Sequence, residues 1–252
     1  MTAHRSFGRG VPGVRVPVSR ASRLRVPRAG LVALVGALAV LAVPATGRAA
    51  NECAGIPRCI SVSGPWVAVS STGEAKFMLE CPQSKGVVAG TDALATSVDI
   101  HASFDGILGS PVSYGRTTNS SAFFRAVSGF HRAGAFKPFI GCIPTPSSLR
   151  NTIAAKPSPI GPPLDLRATI ARLVPGAIKT ISVSCPKGEV LVDSWTATAS
   201  TAAVAPAAEL LSGIEVQAKV HGRSASASIS ASEALPATIG AEVQLGVRCA
   251  AQ

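Results

Sequence analysis

An internal repeat constrains this chain more than any other feature. Near the start of each copy an alternating strand ends in Cys-Pro. The first reads Phe77-Met78-Leu79-Glu80-Cys81-Pro82, followed by Gly86; the second reads Ile181-Ser182-Val183-Ser184-Cys185-Pro186, followed by Gly188. A second matched strand follows, Val98 to Gly106 in one copy and Ile214 to Gly222 in the other, with apolar and polar positions in step. Each copy closes on a cysteine-bearing strand, Phe139-Ile140-Gly141-Cys142 and Val243 to Cys249. Self-similarity of this kind marks a supersecondary unit used twice.

The period inside these segments is two, so alternate side chains point to opposite faces. Val98, Ile100, Ala102 and Phe104, and likewise Ile214, Val216, Ala218 and Val220, are expected to face a core, with Glu215, Gln217, Lys219 and His221 in water. Upstream, Ile60 to Val69 turns at Thr72-Gly73, and Leu164 to Arg172 turns at Pro175-Gly176, a pair suited to a type II turn. Half-buried strands separated by Gly, Pro, Ser and Asn imply an antiparallel sandwich or barrel. Residues 202–212 could form one short helix, interrupted by Pro206. Between the copies, Pro144 to Pro163 holds six prolines and reads as a semi-rigid linker. The expected architecture is all-β: two tandem Ig-like sandwich modules, 50–144 and 164–252, joined by 145–163.

All six cysteines fall within these two modules. The repeat suggests their pairing: Cys81 with Cys142 and Cys185 with Cys249, each tying an early strand to the last strand of its own module. Cys53 and Cys59 are left to each other. A loop of about 60 residues closed in this way contributes roughly 4 kcal/mol in the chain-entropy treatment.

Disulfides imply an oxidising compartment, and the first 49 residues supply a route. They carry eight arginines and no acid, then an apolar run from Leu31 to Val43, ended by Pro44 and small residues up to Ala49. Positive segment, apolar segment and small-residue exit read as a secretory signal peptide. The run of 13 residues is shorter than the about 20 that span a bilayer, so cleavage, rather than retention as an anchor, is expected, with no membrane association afterwards. The whole chain has 24 basic and 13 acidic residues; without those eight arginines, 16 basic residues face 13 acidic ones, a net +3. The basic pI therefore belongs mostly to the leader, and a nucleic-acid partner is not expected, since binding nucleic acid needs charge clustered on the folded surface.

No nucleophile elbow, zinc-protease helix, Walker loop or dinucleotide fingerprint is present. No catalytic residue, cofactor or metal site is therefore assigned. Only Cys53 and Cys59 lie close together, and their spacing is wrong for zinc. His101 stands between Asp99 and Asp105 on the outward side of its strand, and a solvated polar face explains it better than a metal. His131 and His221 have no partner pattern. Trp66 reads as core, Trp195 as partly exposed. The stretch Phe123, Phe124, Arg125, Phe130, His131, Arg132, Phe136, Lys137 and Phe139 could present a sugar or anion surface, but core strands with outward charges fit it better. Residues 109–121, including Tyr114 and the sequon Asn119-Ser120-Ser121, form a polar loop of the kind that carries sites.

Gly64-Pro65-Trp66-Val67, the strand ending Leu79-Glu80-Cys81-Pro82, Gly90-Thr91-Asp92-Ala93, Leu108 to Val112 and Phe139 to Pro144, with the Cys-Pro-Lys-Gly-Glu and closing strand of the second half, resemble a group of secreted bacterial proteins of actinobacterial type. The resemblance implies export and a repeated module and transfers no site residue. The expected function is a non-catalytic binding or structural role, secreted or in the cell envelope, toward an extracellular or cell-wall partner. The alternative is an extracellular hydrolase acting on a polymer, with its site at the module interface or in the 109–121 loop.

Overall fold

The computed structural model describes residues 50–55, 58–82, 86–104, 111–113, 116–117, 120–144 and 164–251. The expected export signal, the proline-rich linker, Asp105, Tyr114 and Asn119 lie outside the described residues.

The first copy supplies β1 (Ile60–Ser63), β2 (Trp66–Val69), β3 (Glu74–Glu80), β4 (Gly86–Ala95), β5 (Ile100–Phe104), the small hairpin β6 (Pro111–Ser113) and β7 (Arg116–Thr117), β8 (Ser121–Ser128) and β9 (Gly134–Pro144). The second supplies β10 (Leu164–Arg172), β11 (Ile178–Ser184), β12 (Glu189–Ser200), β13 (Ile214–His221), β14 (Ser224–Ala231) and β15 (Ala241–Ala251). A helical turn, α1 (Ala208–Leu211), and a 3-10 turn, Ala237–Ile239, break the run of strands. Every pairing among the described strands is antiparallel, so the chain is all-β.

The two copies fold alike. In the first, β9 is flanked by β4 on one side and by β1 and β2 on the other, and β3-β8-β5 form the facing sheet. In the second, β15 is flanked by β12 and β10, with β11-β14-β13 facing. Even the irregularity repeats. The register of β4 against β9 shifts after Val88, opposite Cys142, and that of β12 against β15 shifts after Leu191, opposite Cys249. Such bulges bend a strand and increase its twist.

The copies are not separate beads. Val67 and Trp66 of β2 pair with Ala199 and Ser200 of β12, so one seven-stranded sheet runs through both modules. Two cores line it. Val67, Phe77, Phe124, Phe136 and Ile140 fill the first, together with Ala197 and Ala199 from the second copy. Ile229, Val243, Leu245 and Val247 fill the second. A third cluster sits between the modules, where Met78 and Phe123 meet Trp195, Leu166 and Ala168.

This arrangement corrects several expectations. Trp195 is 5 % exposed, because the first module's β3 and β8 cover its face of the sheet. Its ring meets Phe123 edge-on at 4.8 Å between centroids. Trp66, by contrast, is half-buried on the opposite side of β2 from the core residues Val67 and Val69, with the Lys137 ammonium 5.7 Å from its ring. Val98 lies in the turn before β5 and is 90 % exposed, while Ala218 and Val220 are exposed toward the end of β13. In β15, both faces are buried, including Glu242 and Gln244.

Three disulfides join Cys53 to Cys59, Cys81 to Cys142 and Cys185 to Cys249. The two long bonds staple the facing sheets of each module. The short one forms a cap: Glu52 and the Cys53–Cys59 bridge lie over Gly90 and Gly141. A Cβ at Gly141 would come 2.5 Å from the Glu52 carbonyl oxygen. In the second copy the equivalent positions are Asp193 and Arg248, and there the first module does the covering, through Lys76 and Phe123. The same patch is thus closed twice, by different means.

Candidate functional site

A cleft of about 430 Å³ opens where the modules meet, within the size range of small-ligand pockets. Its origin is local. Gly64-Pro65 interrupts the strand formed by β1 and β2, since proline cannot donate to a ladder. β2 stays paired with β12 as far as Ser200, and beyond that point the two chains diverge. Ser63, Gly64 and Pro65 form one wall, with Thr201 and Ala202 after β12. The β3 residues Phe77 to Glu80 form another, and Ala168, Ile170, Arg172, Glu242 and Gln244 line the side of the second module.

Hydrogen bonds make this framework rigid. The Gln244 side-chain amide accepts from the Met78 N–H at 2.8 Å and donates to the Met78 carbonyl at 2.9 Å. The Trp195 indole N–H donates to the same Gln244 oxygen at 3.2 Å. Ser200 donates its hydroxyl to the Ile239 carbonyl at 2.5 Å, and the Thr201 N–H bonds the Gly240 carbonyl at 3.0 Å. Lys76 and Asp193 form an ion pair across the module boundary at 3.0 Å.

The charge in the cleft is mixed. Burial pushes the Glu242 carboxyl above the ordinary glutamic acid range, and the nearby Arg172 guanidinium, its cross-strand register partner, opposes part of that shift. Glu80 lies on the β3 wall, exposed. An apolar floor with a few fixed polar groups can orient a ligand by hydrogen bonds and charge.

Of the residues singled out from sequence, Lys137 lines the cleft, and the histidines lie elsewhere. His101, His131 and His221 are all exposed and sit on β5, on the turn after β8 and at the end of β13. His131 has φ 55 and its Nδ1 lies 3.3 Å from the Ser71 carbonyl oxygen. Among the described residues, no three His, Cys, Asp or Glu side chains gather as a metal would need. The aromatic and basic stretch does not make one surface. Phe123, Phe124 and Phe136 are buried, Phe139 is half-buried and only Phe130 is exposed at 70 %. From the 109–121 loop, the backbone of the hairpin β6–β7 is described, and β6 lies beside β10.

Sequence reasoning missed Glu242, Gln244 and Arg172. Glu242 and Gln244 occupy the polar positions of an alternating strand, which normally face water. Their one distinguishing signal is the second face of β15, which only the partner module buries. No protein-family model matches the chain, and comparison with curated proteins and with solved structures likewise gives no match.

The three disulfides fit an oxidising compartment. No helix among the described residues is long and apolar enough to cross a membrane.

Proposed function

We propose that this is an exported, non-catalytic binding protein of the bacterial envelope, its leader removed at about residue 49, which holds part of an extracellular or cell-wall partner in the inter-module cleft. The observation that carries this reading is the cleft itself: both copies contribute walls, and polar side chains enter it at positions where the repeat is not symmetric. The position equivalent to Glu242 in the first copy is Ala135, by the registers of Cys142 and Cys249. Polar groups that break a repeat are candidates for recognition rather than for the shared fold.

Co-sedimentation of the purified exported protein with isolated cell-wall sacculi tests it. Wild type is expected to pellet with the walls, and Arg172→Glu, which reverses a cleft charge at an exposed strand end, is expected to stay in the supernatant. Equal pelleting of both proteins would remove the cleft from the function.

A second reading, hydrolysis of an extracellular polymer, draws on Glu80 and Glu242 lining one cleft. Burial raises the Glu242 carboxyl above the ordinary glutamic acid range, the direction in which a general acid is tuned. Release of soluble fragments from sacculi by wild type, lost in Glu242→Gln, would replace the binding reading with this one.

A further inference from the structure

We infer that the cleft takes an extended peptide by strand addition, using the exposed backbone edges of β1 and β3; this rests on the reading of the cleft as the ligand site. Among the described residues, β3 pairs only with β8, and β1 only with β9, so each has one edge that no described strand covers. In an antiparallel ladder, successive residues turn their N–H and C=O alternately toward and away from the neighbour. The Cys81 N–H bonds the Ser120 carbonyl on the β8 side at 2.8 Å. The backbone groups of Glu80 and Met78, on the alternate parity, therefore point out of the sheet. Met78 proves the geometry, because its outward N–H and C=O are both taken by the Gln244 amide.

A side-chain amide has the donor and acceptor of a peptide group. Gln244 thus already sits on the β3 edge as one unit of a strand would. The next outward pair belongs to Glu80, which lines the cleft. The opposite wall repeats the pattern. The Gly64 N–H bonds the Pro138 carbonyl at 2.8 Å, so the Ser63 N–H and C=O turn away from β9, and Ser63 also lines the cleft. Two strand edges with outward peptide groups bound the same space. That is the requirement for recognition by β-augmentation, in which main-chain hydrogen bonds supply affinity and flanking side chains supply selectivity. Arg172, Glu242 and Glu80 would provide that selectivity.

The test is a ¹H–¹⁵N titration of the full exported chain with an acetylated, amidated Val-Ser-Val-Ser-Val-Ser peptide, and with the same peptide N-methylated at alternate residues. The unmodified peptide should shift the Ser63 and Glu80 amides, and N-methylation should weaken it at least about tenfold. Glu80→Pro removes the outward donor and leaves the β8 ladder intact. It should weaken binding by a similar factor, whereas Glu80→Gln, which keeps the main-chain donor, should bind more tightly than Glu80→Pro. Equal binding of the N-methylated peptide, or shifts that spare Ser63 and Glu80, would overturn the inference. So would a silent peptide in a titration where chitotriose still shifts cleft residues, which would leave the cleft reading standing. Silence of both probes, together with failure to pellet with sacculi, would overturn both.

Discussion

Gln244 and Met78 are bonded twice, side-chain amide to main chain, at 2.8 and 2.9 Å across the boundary between the two copies. Both residues are buried. A single glutamine thereby satisfies the outward N–H and C=O of one residue, Met78, in a strand that belongs to the other half of the chain.

Removing that amide should be costly. Gln244→Leu keeps the volume and leaves the Met78 N–H and C=O buried without partners. At about 1–3 kcal/mol per stranded group, a loss of about 2–6 kcal/mol is expected in urea unfolding. A loss below about 0.5 kcal/mol, the ordinary range for surface substitutions, would mean that the modules do not depend on this contact.

Gly246 faces Trp195 across the β12–β15 pairing, and a Cβ there would come 2.0 Å from the indole ring. Gly246→Ala should expel the ring from its slot against Phe123. The expected results are a red-shifted tryptophan emission and a destabilisation of about 1–3 kcal/mol or more. Unchanged emission and stability would contradict the packing of the third cluster.

Glu242 gives a pH signature. Its folded-state carboxyl titrates above the unfolded one, so the folded state binds the proton more readily. Stability from this group is complete below the unfolded value of about 4.3 and is lost as pH rises through the folded value. Glu242→Gln, which is neutral throughout, should therefore be more stable than wild type at neutral pH, with the difference shrinking toward zero as the pH falls below about 4. Melting both proteins across that range measures it. A variant less stable than wild type at pH 7 would show that the Arg172 attraction outweighs burial.

The disulfides should differ in worth. In the chain-entropy treatment the Cys81–Cys142 and Cys185–Cys249 loops, with separations of 61 and 64, contribute about 4 kcal/mol each, against about 2 kcal/mol for a loop as short as Cys53–Cys59. Replacing Cys81 and Cys142 together by alanine should lower unfolding stability by the larger amount and replacing Cys53 and Cys59 by the smaller. Equal losses would mean that the cap over Gly90 and Gly141 is worth more than its loop entropy.

Much of the fold is legible in the sequence because it depends on period and repetition. Alternation in Leu164 to Arg172 and Ile181 to Ser184 marks strands, and the matched Cys-Pro ends match the disulfide-bearing strands of both copies. What is not legible depends on the second module. Gln244 and Glu242 look like outward positions of a half-buried strand, and Trp195 looks half-exposed, until β3 and β8 of the first copy cover them. Val98 and Val220 mislead in the opposite direction: they keep the alternation of their strands, but they lie past the edge of the core. The cleft is invisible for a related reason. It arises from the break at Gly64-Pro65 and the junction of Val67 with Ala199, a pairing between residues far apart in the chain that no local pattern encodes.

Hydrogen exchange of the protein, with and without cell-wall sacculi, tests the central claim most directly. Protection confined to Ile60–Pro65, Phe77–Cys81 and the backbone around Thr201 and Ala202, drawn from both copies, is the predicted result. Protection located instead on the serine-lined outer face of β14, on 109–121, or nowhere would contradict a ligand site in the cleft between the modules.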